Sequence, residues 1–543
     1  MVAAPKPAHA AAGHSRELAR QSESHFYLIG GGIASLAAAA FLCRDAHIQG
    51  NRITIIEALD TVGGSLDAEG SALHGYVMRG GRMFESQYVC TYDLFSSIPT
   101  LEGDRSVTRE IFDWNDKHAS SAKSRLLRDG RRIEAPEFEL SDDQIERLEQ
   151  VATQPEALFD GKAIEDFFDD AFFRSNFWLM WSSTFGFRRW HSAMEFRRYL
   201  LRFAHMVPGF NQLRGTMRTT YNQFDSLVRP LHKWLREQGV TFAINTRVTK
   251  IEFVDTTDGK RPASIDYVCG THAGHYEVFD HDRVIVTIGS MTEGTTQGSM
   301  ERPARFSGKP SGGAWQLWDA LASGRPEFGR PAAFSRHIER SQWLSFTTTL
   351  HHSAFFDVLR DVTGDDPAQG GIVTFARSSW LISMVIPHQP HFPGQPEDVS
   401  VLWGYGLAAD AVGDFVRKPM LACTGREIMT EVLGHLGMPA TGRRIVQDSI
   451  CIPCYMPYAT AQFMRRQKGD RPEVIPTGYR NLALIGQFCE LPDDVVFTVE
   501  YSVRSAQTAV YRLLGIDKSA PPVFRDKQDI QILQDVLSTL HAH

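Results

Sequence analysis

His25-Phe26-Tyr27-Leu28-Ile29-Gly30-Gly31-Gly32-Ile33-Ala34-Ser35-Leu36 reads as a buried strand, a tight glycine turn and the start of a helix. Gly30 makes the turn and Gly32 lets the backbone approach a pyrophosphate. Ile33 and Ala34 open the helix whose N-terminus faces that charge. Ser35 stands where the pattern has its third glycine and is small enough for close helix–strand packing. The next apolar run, Ile53-Thr54-Ile55-Ile56, ends at Glu57, about 20 residues past the turn, where an acid can bind a ribose hydroxyl. Strand, turn, helix and acid together predict an α/β fold with a Rossmann-like dinucleotide-binding domain.

Downstream segments return to this unit. Gly63-Gly64-Ser65-Leu66 and Arg79-Gly80-Gly81-Arg82 are further glycine turns, of the kind that lie along the flavin end of FAD. The helix Leu227 to Gln238 precedes a strand from Gly239 and alternating strands at Val248–Phe253 and Asp266–Val268. Arg283 to Ser290 and Asn481 to Gln487 read as buried strands, and Val496 to Leu514 as a helix aimed at the flavin. Gly64, Ser65, Arg79, Gly80, Gly81, Arg82, Val248, Ser290, Gly486 and Ser502 join Gly30, Gly32, Ile33, Ala34, Ser35 and Glu57 as expected cofactor contacts. Neither a second GxGxxG turn nor an N-terminal redox CxxC is present, which argues against a pyridine-nucleotide disulfide reductase.

At 543 residues the chain is too long for one core. The expected division is a flexible leader at 1–24, an FAD-binding domain from 25–139, 225–299 and 475–520, a helical aromatic region at 140–224, a substrate-binding domain at 300–474 and a helical tail at 521–543. Net charge of −7 gives no general attraction to nucleic acid. Seven scattered cysteines suit a reducing, cytoplasmic compartment. Cys451 and Cys454 read as packed thiols rather than a metal site. The longest apolar run, Ile33 to Cys43, is too short to span a bilayer. The run Phe167, Phe168, Phe172, Phe173, Phe177, Trp178, Trp181, Phe185, Phe187 and Trp190 is either plain core or the wall of a pocket for a long apolar ligand.

The motifs Arg79-Gly80-Gly81-Arg82, Trp190-His191-Ser192-Ala193, Thr220-Tyr221-Asn222-Gln223, Gln389-Pro390-His391-Phe392, Cys454-Tyr455-Met456-Pro457-Tyr458 and Pro492 through Ser502 resemble the oleate hydratases, also called myosin-cross-reactive antigen, over about residues 25 to 530. The resemblance implies an FAD protein of the two-domain flavoprotein type, with a discontinuous substrate domain and a helical lid. It would hydrate the cis-9 double bond of oleate and similar free fatty acids to 10-hydroxy acids, with FAD in a non-redox role. The alternatives are a flavin-dependent double-bond isomerase or oxidase, or a non-catalytic fatty-acid binder. The partners are the fatty acid and water. Peripheral membrane contact and the choice of monomer or homodimer stay open.

By the same resemblance Tyr199 is the proton donor and Gln223 and His391 bind substrate. The family glutamate after the RGGR motif is here Met83, which cannot accept a proton at neutral pH. Three readings follow: Glu85 acts as base, water is placed by backbone groups and the flavin, or hydration is lost. Restoring glutamate at 83 is expected to raise turnover if the water lacks a base. The family carboxylate-binding pattern also departs, reading Val385, Pro387 and His391, with Ser383 and His388 as candidate substitutes. Arg188, Arg189, Arg197, Arg198 and Arg202 read as a solvated helix face, or as contacts for anionic lipid heads.

Overall fold

Near-continuous runs of Ile, Leu, Val and Phe make strands that must be covered on both faces, the signature of a parallel sheet. The computed structural model, which describes residues 24–134, 137–305, 313–366, 371–438, 442–524 and 530–541, contains that sheet. Its five strands lie in the order Leu482–Ile485, Arg283–Thr287, Phe26–Ile29, Ile53–Ile56 and Thr241–Ala243, all parallel. The helix Ile33–Arg44 buries ten of its twelve residues because it is enclosed between this sheet and the helix Val499–Leu514. Thr498 caps that second helix by accepting from Tyr501 N, so it starts at Val499, three residues later than its apolar pattern suggested. Thr246–Thr256, Gly259–Cys269 and His272–Glu277 form a separate antiparallel sheet. The leader reading at 1–24 lies, but for Ser24, outside the described residues.

The second body is an eight-stranded sheet, ordered Thr296–Gln297, Ser449–Met456, Trp343–Leu350, Ser400–Gly406, Ile382–Val385, Ile372–Phe375, Ser124–Arg128 and Arg131–Glu134. Its last two strands and Thr296–Gln297 fall inside the sequence segments assigned to the dinucleotide unit, and the structure moves them here. Leu126 and Leu127 are buried on opposite faces and pair parallel with Thr374 and Phe375. The strand Trp343–Leu350 is buried at every position, because the strand Gly75–Met78 lies across it. Thr349 Oγ1 accepts from Tyr76 N at 2.8 Å and Thr347 Oγ1 from Met78 N at 3.1 Å. Two threonines of the large sheet thus hold up the hairpin of Ala68–Ser71 and Gly75–Met78 that leads into the Arg79–Arg82 turn, satisfying backbone donors of its second strand.

Helix Asn176–Phe185 packs on the strands Ile372–Phe375 and Ser124–Arg128, and helix Ala193–Arg202 bonds to the carbonyls of Leu491 and Val496. Ser175 caps the first and Ser192 the second. Glu195, fully buried, accepts from Arg466 at 2.8 Å and Arg471 at 2.9 Å. Burial alone would raise its carboxyl, but the arginines hold it at about 2. The arginine-rich face is accordingly not a solvated one: Arg197, Arg198 and Arg202 are buried, with Arg198 on Glu156 and Glu490, while Arg189 alone pairs at the surface, with Glu165 and Asp170. Acids on neighbouring segments, invisible in the local pattern, draw these cations inward.

Candidate active site

The glycine turn opens on a cleft of about 1300 Å³. Gly30 adopts φ +96°, a conformation open to glycine but strained for other residues. A Cβ added to Gly32 would meet no atom within 4 Å, so this position borders open space. The helix that follows has no side-chain cap and no acid in its first turn, which leaves its N–H groups free for an anion. Glu57 lines the same cleft and receives Gly31 N at 2.5 Å and Leu59 N at 2.8 Å. Gly64, Ser65, Arg79, Val248, Ser290, Gly486 and Ser502 complete the expected wall. A dinucleotide diphosphate fits these donors. Ser35 does not face the cleft: it is buried, with Oγ 3.0 Å from Thr287 Oγ1, where it locks helix to strand.

At Arg79 the cleft meets a second cavity, of about 1040 Å³, lined mainly by aromatic and aliphatic groups. Arg79 pairs with Asp67 at 2.6 Å, and Arg82 donates to Ser65 O at 2.6 Å. Gly80, Gly81 and Arg82 line this cavity, not the cleft. Met83, Glu85 and Tyr199 reach it as well. Of the long aromatic run only Phe185 lines it; Phe168, Phe172, Phe177, Trp178 and Trp181 are core. The remaining aromatic wall comes from Phe84, Tyr88, Phe203, Trp343, Trp403, Tyr405 and Phe497, drawn from several segments far apart in sequence.

Tyr199 is 1% exposed and donates its hydroxyl hydrogen to Val496 O at 2.5 Å. Phe185 and Phe187 sit with ring centres 5.0 Å from it. Burial, reinforced by Tyr88 and Glu195, pushes the phenol well above its ordinary value, so it stays protonated. Glu85 is not a solvated loop acid. Both oxygens are engaged, one by Arg202 Nη2 and the other by Gln87 N at 2.7 Å, with His205 Nε2 at 3.7 Å. Burial favours its neutral form, but His205 and Arg202 outweigh that and hold the carboxyl below its usual range. So bound, it is a poor base for water.

Behind the Gly80–Arg82 backbone lies a smaller pocket, lined also by Trp114, Arg218, Asn222, Gln223, Val385, His388 and His391. Gln223 is buried; Nε2 donates to Arg82 O at 3.4 Å and Oε1 has no partner among the described residues. His391 lines the pocket with its imidazole held near 3 by burial and by Arg218. His388 is present as well, its ring 4.9 Å from His118. Ser383 is not: its hydroxyl lies 2.9 Å from Thr374 Oγ1 in the sheet. Arg218 escaped the sequence reading, although it stands close before the Asn222-Gln223 motif. Cys451 and Cys454 are free, buried thiols. No helix among the described residues is long and apolar enough to cross a membrane.

A profile described as the MCRA family matches residues 23–511. An oleate hydratase from Streptococcus pyogenes is 40% identical over 521 residues, covering 93% of this chain and 88% of its own. A linoleate hydratase from Lactiplantibacillus plantarum is 33% identical over 536 residues, covering 91% and 94%. Among solved structures, cyclohexylamine oxidase from Brevibacterium oxydans aligns with a TM-score of 0.52 at 13% identity, over 91% of this chain and 99% of that one, a likeness of fold.

Proposed function

The chain belongs to the MCRA family, and from that premise we propose that it adds water to the cis-9 double bond of oleate and related unsaturated free fatty acids, giving 10-hydroxy acids. The observation that carries the reading is the Tyr199 phenol, protonated and set in an aromatic cavity beside the glycine-turn cleft. FAD is the proposed occupant of the cleft, held by Gly30, Gly32, the start of the helix Ile33–Arg44, and Glu57. When bound it supplies shape and charge to the site and no net redox step. The five-stranded sheet serves the cofactor; the eight-stranded sheet and the aromatic helices serve the substrate. Seven free thiols favour a cytoplasmic setting.

Hydration of an isolated alkene begins with proton transfer to carbon and passes through positive charge. Tyr199 Oη gives its hydrogen to C9. The aromatic walls stabilise the charge at C10 through their ring faces and keep out stray water. Water then bonds to C10 through oxygen. A carbocation needs no deprotonated nucleophile, so Met83 need not be an acid. The proton lost from the added water returns, through water in the cavity, to the Tyr199 phenolate, the strongest base left there. The sum is alkene plus water to alcohol.

A second reading, a fatty-acid binder without turnover, is favoured by one fact: neither Met83 nor ion-paired Glu85 offers a free base. Anaerobic incubation with oleate and reduced FAD in ¹⁸O-labelled water separates the readings. Label at C10 of the product supports hydration. Binding without product leaves the binder, and peroxide formation would mark an oxidase.

A further inference from the structure

We propose that Arg218 is the carboxylate anchor of this enzyme, a role that rests on the hydratase reading and that no sequence motif assigned. Phe84 N donates to Met217 O at 2.8 Å and Met217 N to Phe84 O at 2.7 Å, so residues 83–84 and 217–218 run side by side. Asn115 pins both backbone groups of Arg218, its Oδ1 accepting from Arg218 N at 2.9 Å and its Nδ2 donating to Arg218 O at 2.7 Å. The guanidinium therefore has a fixed origin. It projects beside Met83, with Nη2 3.9 Å from the sulfur, and into the pocket of Gln223 and His391.

Arg218 is 8% exposed. Its Nε has no hydrogen-bond partner, and among the described residues no carboxylate pairs with it. A buried cation left this way is costly unless an anion arrives to complete it. Other buried arginines already hold an acceptor: Arg202 pairs with Glu85, although its Nη1 has no partner among the described residues, Arg198 pairs with Glu156, and Arg125 donates to the carbonyls of Ile372 and Phe210. The pocket around Arg218 also holds Arg82, His388 and His391 and is lined by no acid. Burial lowers the guanidinium groups of Arg218 and Arg82 only to about 10, so both stay charged at neutral pH, whereas His391 is neutral. The pocket adjoins the apolar cavity, with Gly80–Arg82 and Val385 lining both. A basic end and an apolar body match one ligand class, a long-chain carboxylic acid. Val385 and Pro387 supply no donors, and Arg218 takes over from the opposite wall.

The test compares stearate, which binds without reacting, with stearyl alcohol, which has the same chain and no charge. Both are titrated into the flavin-loaded enzyme by displacement of a fluorescent fatty probe. Wild type is expected to prefer the acid by more than tenfold, the effect of a charge-assisted hydrogen bond. Arg218→Gln loses that preference while binding the alcohol as before, and Arg218→Lys regains part of it. With oleate, Arg218→Gln raises KM and leaves kcat at saturation near wild type. A preference for acid that survives in Arg218→Gln, or, should that variant not fold, in Arg218→Lys undiminished, overturns the inference. A wild type that hydrates oleate but binds alcohol and acid alike overturns it too, and leaves the hydratase reading standing. Binding of neither removes both.

Discussion

Met83→Glu restores the residue type that the family resemblance implies at this position, and simple reasoning expects a faster enzyme. The structure argues for the opposite. Met83 Sδ lies 3.9 Å from Arg218 Nη2, so a carboxylate at position 83 forms an ion pair with a buried guanidinium. Two unit charges about 4 Å apart attract by about 4 kcal/mol at an effective dielectric constant near 20. That attraction holds the new carboxyl well below its ordinary range and makes it a weak base. It also removes Arg218 from the substrate. Steady-state kinetics with oleate should show KM raised at least tenfold with no gain in kcat. The double variant Met83→Glu/Arg218→Met frees the carboxylate and should exceed the single variant in kcat. A single variant with higher kcat and unchanged KM would refute both the ion pair and the role given to Arg218.

Three further outcomes are expected. Tyr199→Phe keeps the fold, losing one hydrogen bond to Val496 worth about 1 kcal/mol, and cuts hydration by about 10²–10⁴-fold in a product assay; near-normal activity would remove the phenol from the mechanism. Glu195 has a folded-state pKa held at about 2, below its unfolded value, so its contribution is complete above the ordinary carboxylate range and fades as pH falls toward 2; denaturation midpoints across acid pH should show that loss, and Glu195→Gln should be destabilised at neutral pH by about 3–5 kcal/mol with a flatter acid limb. Gly32→Ala adds a Cβ that meets no protein atom within 4 Å, so flavin should bind more weakly while thermal unfolding of the cofactor-free form stays unchanged; flavin held as tightly as in wild type would place the diphosphate elsewhere.

The cofactor half of this architecture was legible because its signals are local. Buried runs make strands, Gly30 carries a positive φ, and Glu57 ends the second strand, all within one stretch of chain. The large sheet was not legible in the same way. Ser124–Arg128 pairs with the distant strand Ile372–Phe375 and brings its hairpin partner Arg131–Glu134 into the sheet, and nothing in their own pattern names that distant partner. The site divides along the same line. Tyr199 and Gly80–Arg82 were found through motifs, whereas Trp343, Trp403, Tyr405 and Phe497 converge only in three dimensions. Charge was misread most often. The arginines near Glu85 look solvent-facing in sequence because each acid–base pair is assembled from separate segments.

The Arg79–Arg82 turn hangs from Thr347 and Thr349 and borders all three compartments: Arg79 the cleft, Gly80 through Arg82 both the apolar cavity and the basic pocket. One short loop is therefore a party wall. A ligand that settles it from one side alters the free energy of filling the others, and thermodynamic reciprocity requires the effect to run equally in reverse. With FAD as the proposed occupant of the cleft, cofactor and fatty acid are expected to load as coupled ligands, each changing the affinity of the other by the same factor.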